Sequence, residues 1–209
     1  MYRNGIKRLR AVILALCGMI VLSPLLLILC LAIKIDSPGP IFFRQKRVGI
    51  HKQHFNILKF RTMRIDTPHD MPTHLLHDPE QYITRLGRFL RKTSLDELPQ
   101  LLNILKGDLS IVGPRPERPE IAAQYCEEMP EFALRLQAKA GLTGYAQVYG
   151  KYNTTPYDKL QMDLMYIAHP SLIEDLKIML ATVKILFMPE STEGVAEGAT
   201  TAMNNENLK

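Results

Sequence analysis

Asp96 and Glu97 are adjacent carboxylates inside "TSLDELPQLLNILKGDLSIVGPRPE", Thr93 to Glu117, a stretch that closes on a Gly-Pro-Arg-Pro turn. Neighbouring carboxylates on a turn can share a divalent cation, which a site handling phosphates needs to offset charge. Pro114 and Pro116 stiffen the backbone on both sides of Arg115, and the fork of a single presented guanidinium suits a phosphate. Arg118, by contrast, is expected on the surface of a following helix. Arg88, Arg91 and Lys92 lie just upstream of the carboxylates. Downstream, "GLTGYAQVYGK" offers Gly141 and Gly144 for close backbone approach to a ligand, a Tyr145 ring for a base, and a terminal cation at Lys151.

Each piece also has a plain structural reading. Ser94 is a candidate N-cap, which would put Leu95, Asp96 and Glu97 in the first turn of a helix. Acids are favoured there by the helix dipole, and Pro99 is ordinary so early in a helix. Taken together with a membrane segment, however, the cluster points to phosphoryl chemistry at a bilayer surface.

That segment is "AVILALCGMIVLSPLLLILCLAI", Ala11 to Ile33, an uncharged run long enough to span a bilayer as a helix. Two features oppose a simple span. Ser23-Pro24 sits near its middle, where proline removes a backbone donor and the serine hydroxyl can satisfy a freed carbonyl. Basic residues flank both sides, with Arg3, Lys7, Arg8 and Arg10 before the run and Arg44, Lys46, Arg47, Lys52, Lys59, Arg61 and Arg64 after it. The positive-inside tendency would keep both ends on the cytoplasmic face, so a re-entrant helix-break-helix is expected.

The remainder reads as α+β. Ile41–Arg47 and Phe55–Phe60 alternate as a small β-hairpin. Arg64 to Tyr82 is a Pro- and His-rich solvated loop whose His69, His74, His77, Asp66, Asp70 and Asp78 fit no usual zinc spacing. Helices are expected over Thr84–Lys92, Asp96–Lys106, Glu117–Glu128, Pro130–Ala138, Pro156–Ala168 and Leu172–Met188. Leu98, Leu101, Leu102 and Leu105 mark the apolar side of the second. In the last, Leu176, Met179, Leu180, Val183, Leu186 and Phe187 form a stripe that suits core packing or a lipid interface. The expected organisation is a membrane segment over 1–36, a catalytic domain over 37–188 and a disordered tail over 189–209. With 209 residues, a net charge of +5 and three scattered cysteines, the chain is one domain without a disulfide framework.

At these residues the sequence resembles the bacterial sugar transferases, the monotopic phosphoglycosyl transferases, from about Tyr2 to about Glu190. The resemblance rests on "KR" before an apolar run broken by Ser-Pro, then "GPIFFRQKRVG", "KFRTM", "TSLDELPQLLNILKGDLSIVGPRPE", "GLTGYAQV" and "DLKIML", in that order. It implies a re-entrant membrane helix, several interfacial helices and a Mg2+-dependent Asp-Glu dyad. The implied reaction transfers a sugar phosphate from a UDP-sugar to a polyprenol phosphate such as undecaprenyl phosphate, releasing UMP through a covalent aspartyl-phosphosugar. Carried onto this chain, Asp96 is the nucleophile and a metal ligand, Glu97 its partner, and Arg115 a phosphate clamp. Arg91, Lys59, Arg61 and Lys151 become further phosphate-binding candidates, and Gly141, Thr143, Gly144 and Tyr145 candidates for the nucleotide. The family also implies the bacterial inner membrane with the catalytic domain on the cytoplasmic face. A lipid bilayer and a second copy of the chain are expected partners, and nucleic acid is not.

Two positions depart from the family pattern. Ala11 stands where an acid often follows the "KR", and Lys151 replaces a forked donor with a point charge. Two other classes remain open at this stage: a membrane-bound nucleotide-sugar hydrolase using the same dyad, and a non-catalytic membrane adaptor whose dyad is only a helix cap.

Overall fold

A computed structural model describes residues 5–67, 78–150 and 154–186. Lys151, the loop residues His69, Asp70, His74 and His77, Phe187 and the tail 189–209 lie outside the described residues.

Helix α1, Lys7–Asp36, carries the apolar run. The expected helix-break-helix is instead one helical element with Pro24 inside it. Proline at position 24 cannot donate to the carbonyl four residues back, that of Ile20. The Ser23 hydroxyl donates to that carbonyl at 2.8 Å, so the orphaned acceptor is satisfied and the helix continues. By length and composition α1 could cross a membrane. It nevertheless packs on the rest of the chain at both ends. Ala11 and Ala15 are buried with Ile57, Ile104, Leu109 and Ala140. Toward the other end Leu29 and Ile33 are buried with Phe60 and Leu90. The opposite face leaves Ile13, Leu16, Ile20, Leu27, Ile28 and Leu31 exposed.

Polar contacts fix the two ends of α1. Arg8 donates to the carbonyls of Ile104 and, at 2.8 Å, Leu105. Arg10 pairs with the buried Asp175, which also accepts from Tyr166, and Lys7 lies 3.9 Å from the same carboxylate. At Ala11, where the resemblance leads to the expectation of an acid, the side chain is a core residue, and Asp175 on a distant helix receives Lys7 and Arg10. At the far end Arg61 donates to the carbonyls of Ser37, at 2.7 Å, and Pro38.

Strands β1, Phe42–Val48, and β2, His54–Phe60, form the expected antiparallel hairpin, with Phe43 opposite Lys59 and Arg47 opposite Phe55. Helix α2, Arg85–Lys92, is capped by the Thr84 hydroxyl, which accepts from the Gly87 amide at 2.9 Å. Gly87 must be glycine: a Cβ there would stand 2.0 Å from the Thr62 carbonyl.

The expected helix Asp96–Lys106 divides. Leu95–Glu97 is a 3-10 turn, and α3, Gln100–Lys106, begins only after Pro99. Ser94 makes no side-chain cap and has a left-handed backbone at φ 56, so the capping explanation for the two carboxylates does not hold. The side of α3 that is fully buried is not the leucine stripe but Gln100, Asn103 and Ile104.

Two short strands escape the sequence pattern: β3, Ser110–Val112, runs parallel to β4, Gly141–Thr143. The remaining elements include α4, Pro119–Glu128, a 3-10 helix Pro130–Gln137 where an α-helix is expected, α5, Tyr145–Tyr149, α6, Pro156–Ala168, and α7, Leu172–Leu186. On α7 the core side is Asp175 and Ile178, while Leu172, Ile173, Leu176, Leu180 and Val183 are exposed. Of the expected stripe, Leu176, Leu180, Val183 and Leu186 are exposed, whereas Met179 packs against the buried Val112, Tyr166 and Ile178.

Candidate active site

The 3-10 turn places Asp96 and Glu97 on the wall of a cavity of about 460 Å³, whose other walls come from β1, β2, α2 and the chain after β2. Lys59 projects from β2 beside both carboxylates, with its ammonium 2.6 Å from Glu97 Oε1 and 3.8 Å from Asp96 Oδ2. Arg115 reaches the same Glu97 oxygen at 2.8 Å. Two cations thus converge on one oxygen of one carboxylate.

The two acids differ electrostatically as a result. Burial pushes Glu97 upward, but Arg115 and Lys59 outweigh it and hold the group well below the usual carboxylate range. Asp96 is buried with no hydrogen bond to a described residue, and burial raises its carboxyl above the ordinary aspartate value despite Lys59. Arg115 is raised mainly by Glu97. A buried carboxylate with open lone pairs beside a permanently ionised neighbour suits a hard cation with oxygen ligands, so these residues fit Mg2+. Magnesium typically takes one or two carboxylates and completes its shell with water and phosphates. Among the described residues no cluster of three or more His, Cys, Asp or Glu offers another such site.

The remaining sequence candidates fall into three groups. Arg91 lines the cavity and donates to the Thr62 hydroxyl at 2.9 Å. Arg61 also borders it, but its guanidinium is engaged on the carbonyls after α1. The "GLTG" residues stand behind the Arg115 turn rather than on the cavity wall. A Cβ on Gly141 would lie 2.1 Å from the Gly113 nitrogen, and one on Gly144 would lie 2.2 Å from the Gly113 carbonyl. Gly141 donates its amide to the Pro114 carbonyl at 3.0 Å. Thr143 shares a 2.7 Å hydrogen bond with Thr182, and Tyr145 packs against Tyr149. The segment thereby buttresses the turn that presents Arg115.

Several residues of the site are invisible to local sequence patterns. Asn103 accepts from the Leu58 amide at 2.9 Å and donates to the Asn56 carbonyl at 2.8 Å, which fixes α3 against the strand carrying Lys59. Its only sequence signal is a second amide three residues after Gln100, on the same side of α3. Arg135 pairs with buried Asp163 at 2.6 Å and donates to the Arg115 carbonyl at 3.1 Å, bracing the turn from behind. Arg47 and Arg118 line the cavity, Arg118 from the N-cap of α4 rather than from the helix surface expected for it.

The family description "bacterial sugar transferase" matches residues 2–189. The chain belongs to the bacterial sugar transferase family. Among sugar transferases of known assignment, it is 45% identical over 192 residues to a UDP-glucose:undecaprenyl-phosphate glucose-1-phosphate transferase of Caulobacter vibrioides, covering 88% of this chain and 71% of that protein. It is 39% identical over 184 residues to a transferase of the same name from Escherichia coli, covering 85% of this chain and 39% of that protein. An N-acetylgalactosaminephosphotransferase of Aeromonas hydrophila that uses undecaprenyl phosphate is 36% identical, with 87% and 43% covered. The chain thus spans most of the length of the Caulobacter sugar transferase but less than half of the other two.

Proposed function

We propose that this protein transfers a sugar phosphate from a UDP-sugar to a polyprenol phosphate, undecaprenyl phosphate in the first instance, at the cytoplasmic face of the inner membrane. Asp96 carries this reading. It is a buried carboxylate left without a hydrogen bond in a cavity rich in cations, while its neighbour Glu97 takes up both Lys59 and Arg115. That arrangement leaves Asp96 free to react and Glu97 fixed in place.

In the first half-reaction an oxygen of ionised Asp96 attacks the sugar-bearing phosphorus of the UDP-sugar. The bond from that phosphorus to the bridging oxygen breaks, UMP leaves with the electron pair, and the sugar phosphate remains as an acyl phosphate on Asp96. In the second, an oxygen of the lipid phosphate attacks the same phosphorus, and the Asp96 carboxylate leaves. The acceptor is already an anion, so little base catalysis is needed. Arg115 and Arg91 orient and neutralise the phosphate oxygens, and Lys59 holds the dyad in register. Mg2+ bound by Asp96 and Glu97 would supply further charge neutralisation on the phosphates.

The tethering of α1 supports the membrane placement. At about 1.5 Å per residue the helix is roughly 45 Å long, yet Arg8 and Arg61 tie its two ends to one and the same domain. A helix crossing the bilayer would carry one of those ends to the other side. We therefore favour a re-entrant or shallow insertion, with the exposed apolar faces of α1 and α7 turned to lipid. The family relatives named for undecaprenyl-phosphate transfer support the acceptor class.

Purified protein incubated with a panel of UDP-sugars, with and without undecaprenyl phosphate, tests the reading. Turnover yielding UMP and lipid-linked sugar phosphate is expected only when the lipid is present. Steady release of free sugar phosphate in both arms would make the protein a hydrolase, and no UMP from any donor would reject the transferase.

A further inference from the structure

Strand alternation gives the cavity a direction. Phe43, Gln45 and Arg47 share one face of β1 and all line the cavity, spanning about 13 Å at roughly 3.3 Å per residue. Lys59, the residue opposite Phe43, meets the dyad from the neighbouring strand. The face thus passes from an aromatic ring to a guanidinium, with the dyad along its side.

The two ends differ in chemistry. At one, Pro40, Phe42, Phe43, Met63 and Ile65 line the wall together with Arg61 and Arg64, whose guanidiniums are engaged on the carbonyls after α1 and on Asp66, and both phenylalanines are 39% exposed. This end adjoins the C-terminal end of α1, held there by Arg61, so it opens beside the segment assigned to the membrane. At the other end Arg47 and Arg118 line the wall. Among the described residues Arg47 bonds only neutral acceptors, the Pro116 carbonyl at 3.1 Å and the Gln45 side chain at 2.6 Å. Its Nε is buried without a partner among the described residues. Arg118 makes no ion pair with any described residue. Arg115 adds a third guanidinium nearby, already committed to Glu97. Arg47 and Arg118, neither of them in an ion pair with a described residue, suit a multiply charged anion, and exposed aromatic rings at a membrane-side mouth suit a hydrocarbon chain.

We propose that the two substrates reach the dyad from opposite ends of this single cavity, the nucleotide diphosphate at the Arg47–Arg118 end and the isoprenoid phosphate at the Phe42–Phe43 end. The assignment rests on the transferase reading above and adds the residues that separate donor from acceptor. Arg118 contacts the leaving nucleotide's phosphate, and Phe43 lies along the isoprene units next to the acceptor phosphate. The donor can then leave as UMP without crossing the path by which the lipid enters.

Two variants read out the two ends independently. In a double-displacement reaction kcat/KM for each substrate reports only its own half-reaction, so the ratio of the two values is insensitive to the fraction of folded enzyme. UDP-glucose and undecaprenyl phosphate in detergent micelles serve as probes. Arg118→Gln should lower the donor value relative to the acceptor value by about tenfold or more, the usual scale for a lost charged hydrogen bond. Phe43→Ser should shift the ratio the other way by about tenfold, the scale of a lost buried aromatic, and Phe43→Leu should restore most of it. Opposite shifts support the assignment. A ratio that stays put in either variant, or moves the same way in both, overturns it. A wild-type enzyme with no transfer to the lipid would instead sink the transferase reading itself, an outcome seen before any variant is compared.

Discussion

The Lys59 ammonium lies 2.6 Å from Glu97 Oε1 and 3.8 Å from Asp96 Oδ2, so one side chain on a β-strand holds two acids of a 3-10 turn in fixed relation. Arg115 approaches the same Glu97 oxygen from the Gly-Pro-Arg-Pro turn. Glu97 is therefore the shared anchor of hairpin and turn, and Asp96 stands beside that anchor without being consumed by it.

Sharing one oxygen makes Lys59 and Arg115 energetically dependent. Lys59→Met and Arg115→Gln should each slow UMP release by roughly 10- to 100-fold, the range for losing a charged hydrogen bond. The double variant should lose clearly less than the product of the two, because contacting residues couple. Arg115→Lys keeps the charge but loses the fork, and should remain impaired. A fully additive double variant, measured by single-turnover UMP release, would show that the two cations serve separate groups.

The raised Asp96 carboxyl gives a sign to the pH dependence. A nucleophilic carboxylate must be ionised, and burial favours its neutral form, so the acid limb of the donor half-reaction should lie above the ordinary aspartate range. Lys59 opposes that rise, hence Lys59→Met should move the limb to still higher pH. Increasing Mg2+ should move it down, since a bound cation stabilises the anion. A pH–rate profile that ignores both changes would remove Asp96 ionisation from the rate.

Legibility in the sequence followed the range of the interaction. The hairpin, α2 and α6 were readable because alternation and caps are local; Thr84 and Thr155 both cap as their type suggests. Residue type alone singles out Asp96, Glu97 and Arg115, and the structure brings Arg115 to 2.8 Å from Glu97. What local patterns do not show is decided by distant partners. The glycines of "GLTG" suggest close approach to a ligand; in the structure they pack against the Gly113 backbone, brought there by a parallel strand pair that three-residue strands cannot announce. The Ser94 cap failed because the chain turns left-handed there and carries the acids on a 3-10 turn. Asn103, Arg135 and Asp163 were missed because their partners lie on other elements.

Tying both ends of α1 to one domain predicts its topology. Single cysteines at Gly5 and His51 should both react with thiol reagents that reach the cytoplasm, and neither with an external, impermeant one. External labelling at either position would make the segment a span. Pro24→Ala restores the amide that Ile20 lacks, so the Ser23 hydroxyl is no longer needed there. Ser23→Ala alone should therefore destabilise the insertion more than Ser23→Ala combined with Pro24→Ala, as judged by protease protection in membrane vesicles. Equal protection of both would mean that the hydroxyl does not serve that carbonyl.

The two carboxylates should fail in different ways. Asp96→Asn removes the atom that bonds phosphorus, so neither excess Mg2+ nor excess lipid can restore turnover. Loss of a nucleophile costs several orders of magnitude in rate, far beyond the roughly 1 kcal/mol expected if Asp96 were only a favourable charge in a helical turn. Glu97→Gln leaves that atom in place but releases Lys59 and Arg115 from their shared oxygen. It should be severe through misplacement, with partial recovery at high Mg2+. Mass spectrometry separates the two directly. With UDP-glucose and no lipid, wild type should carry one sugar-phosphate mass on the peptide containing Asp96. Glu97→Gln should carry the same adduct more slowly, and Asp96→Asn should carry none. An adduct on another residue, or steady turnover by a folded Asp96→Asn protein, would exclude the covalent route and leave direct transfer between the two substrates.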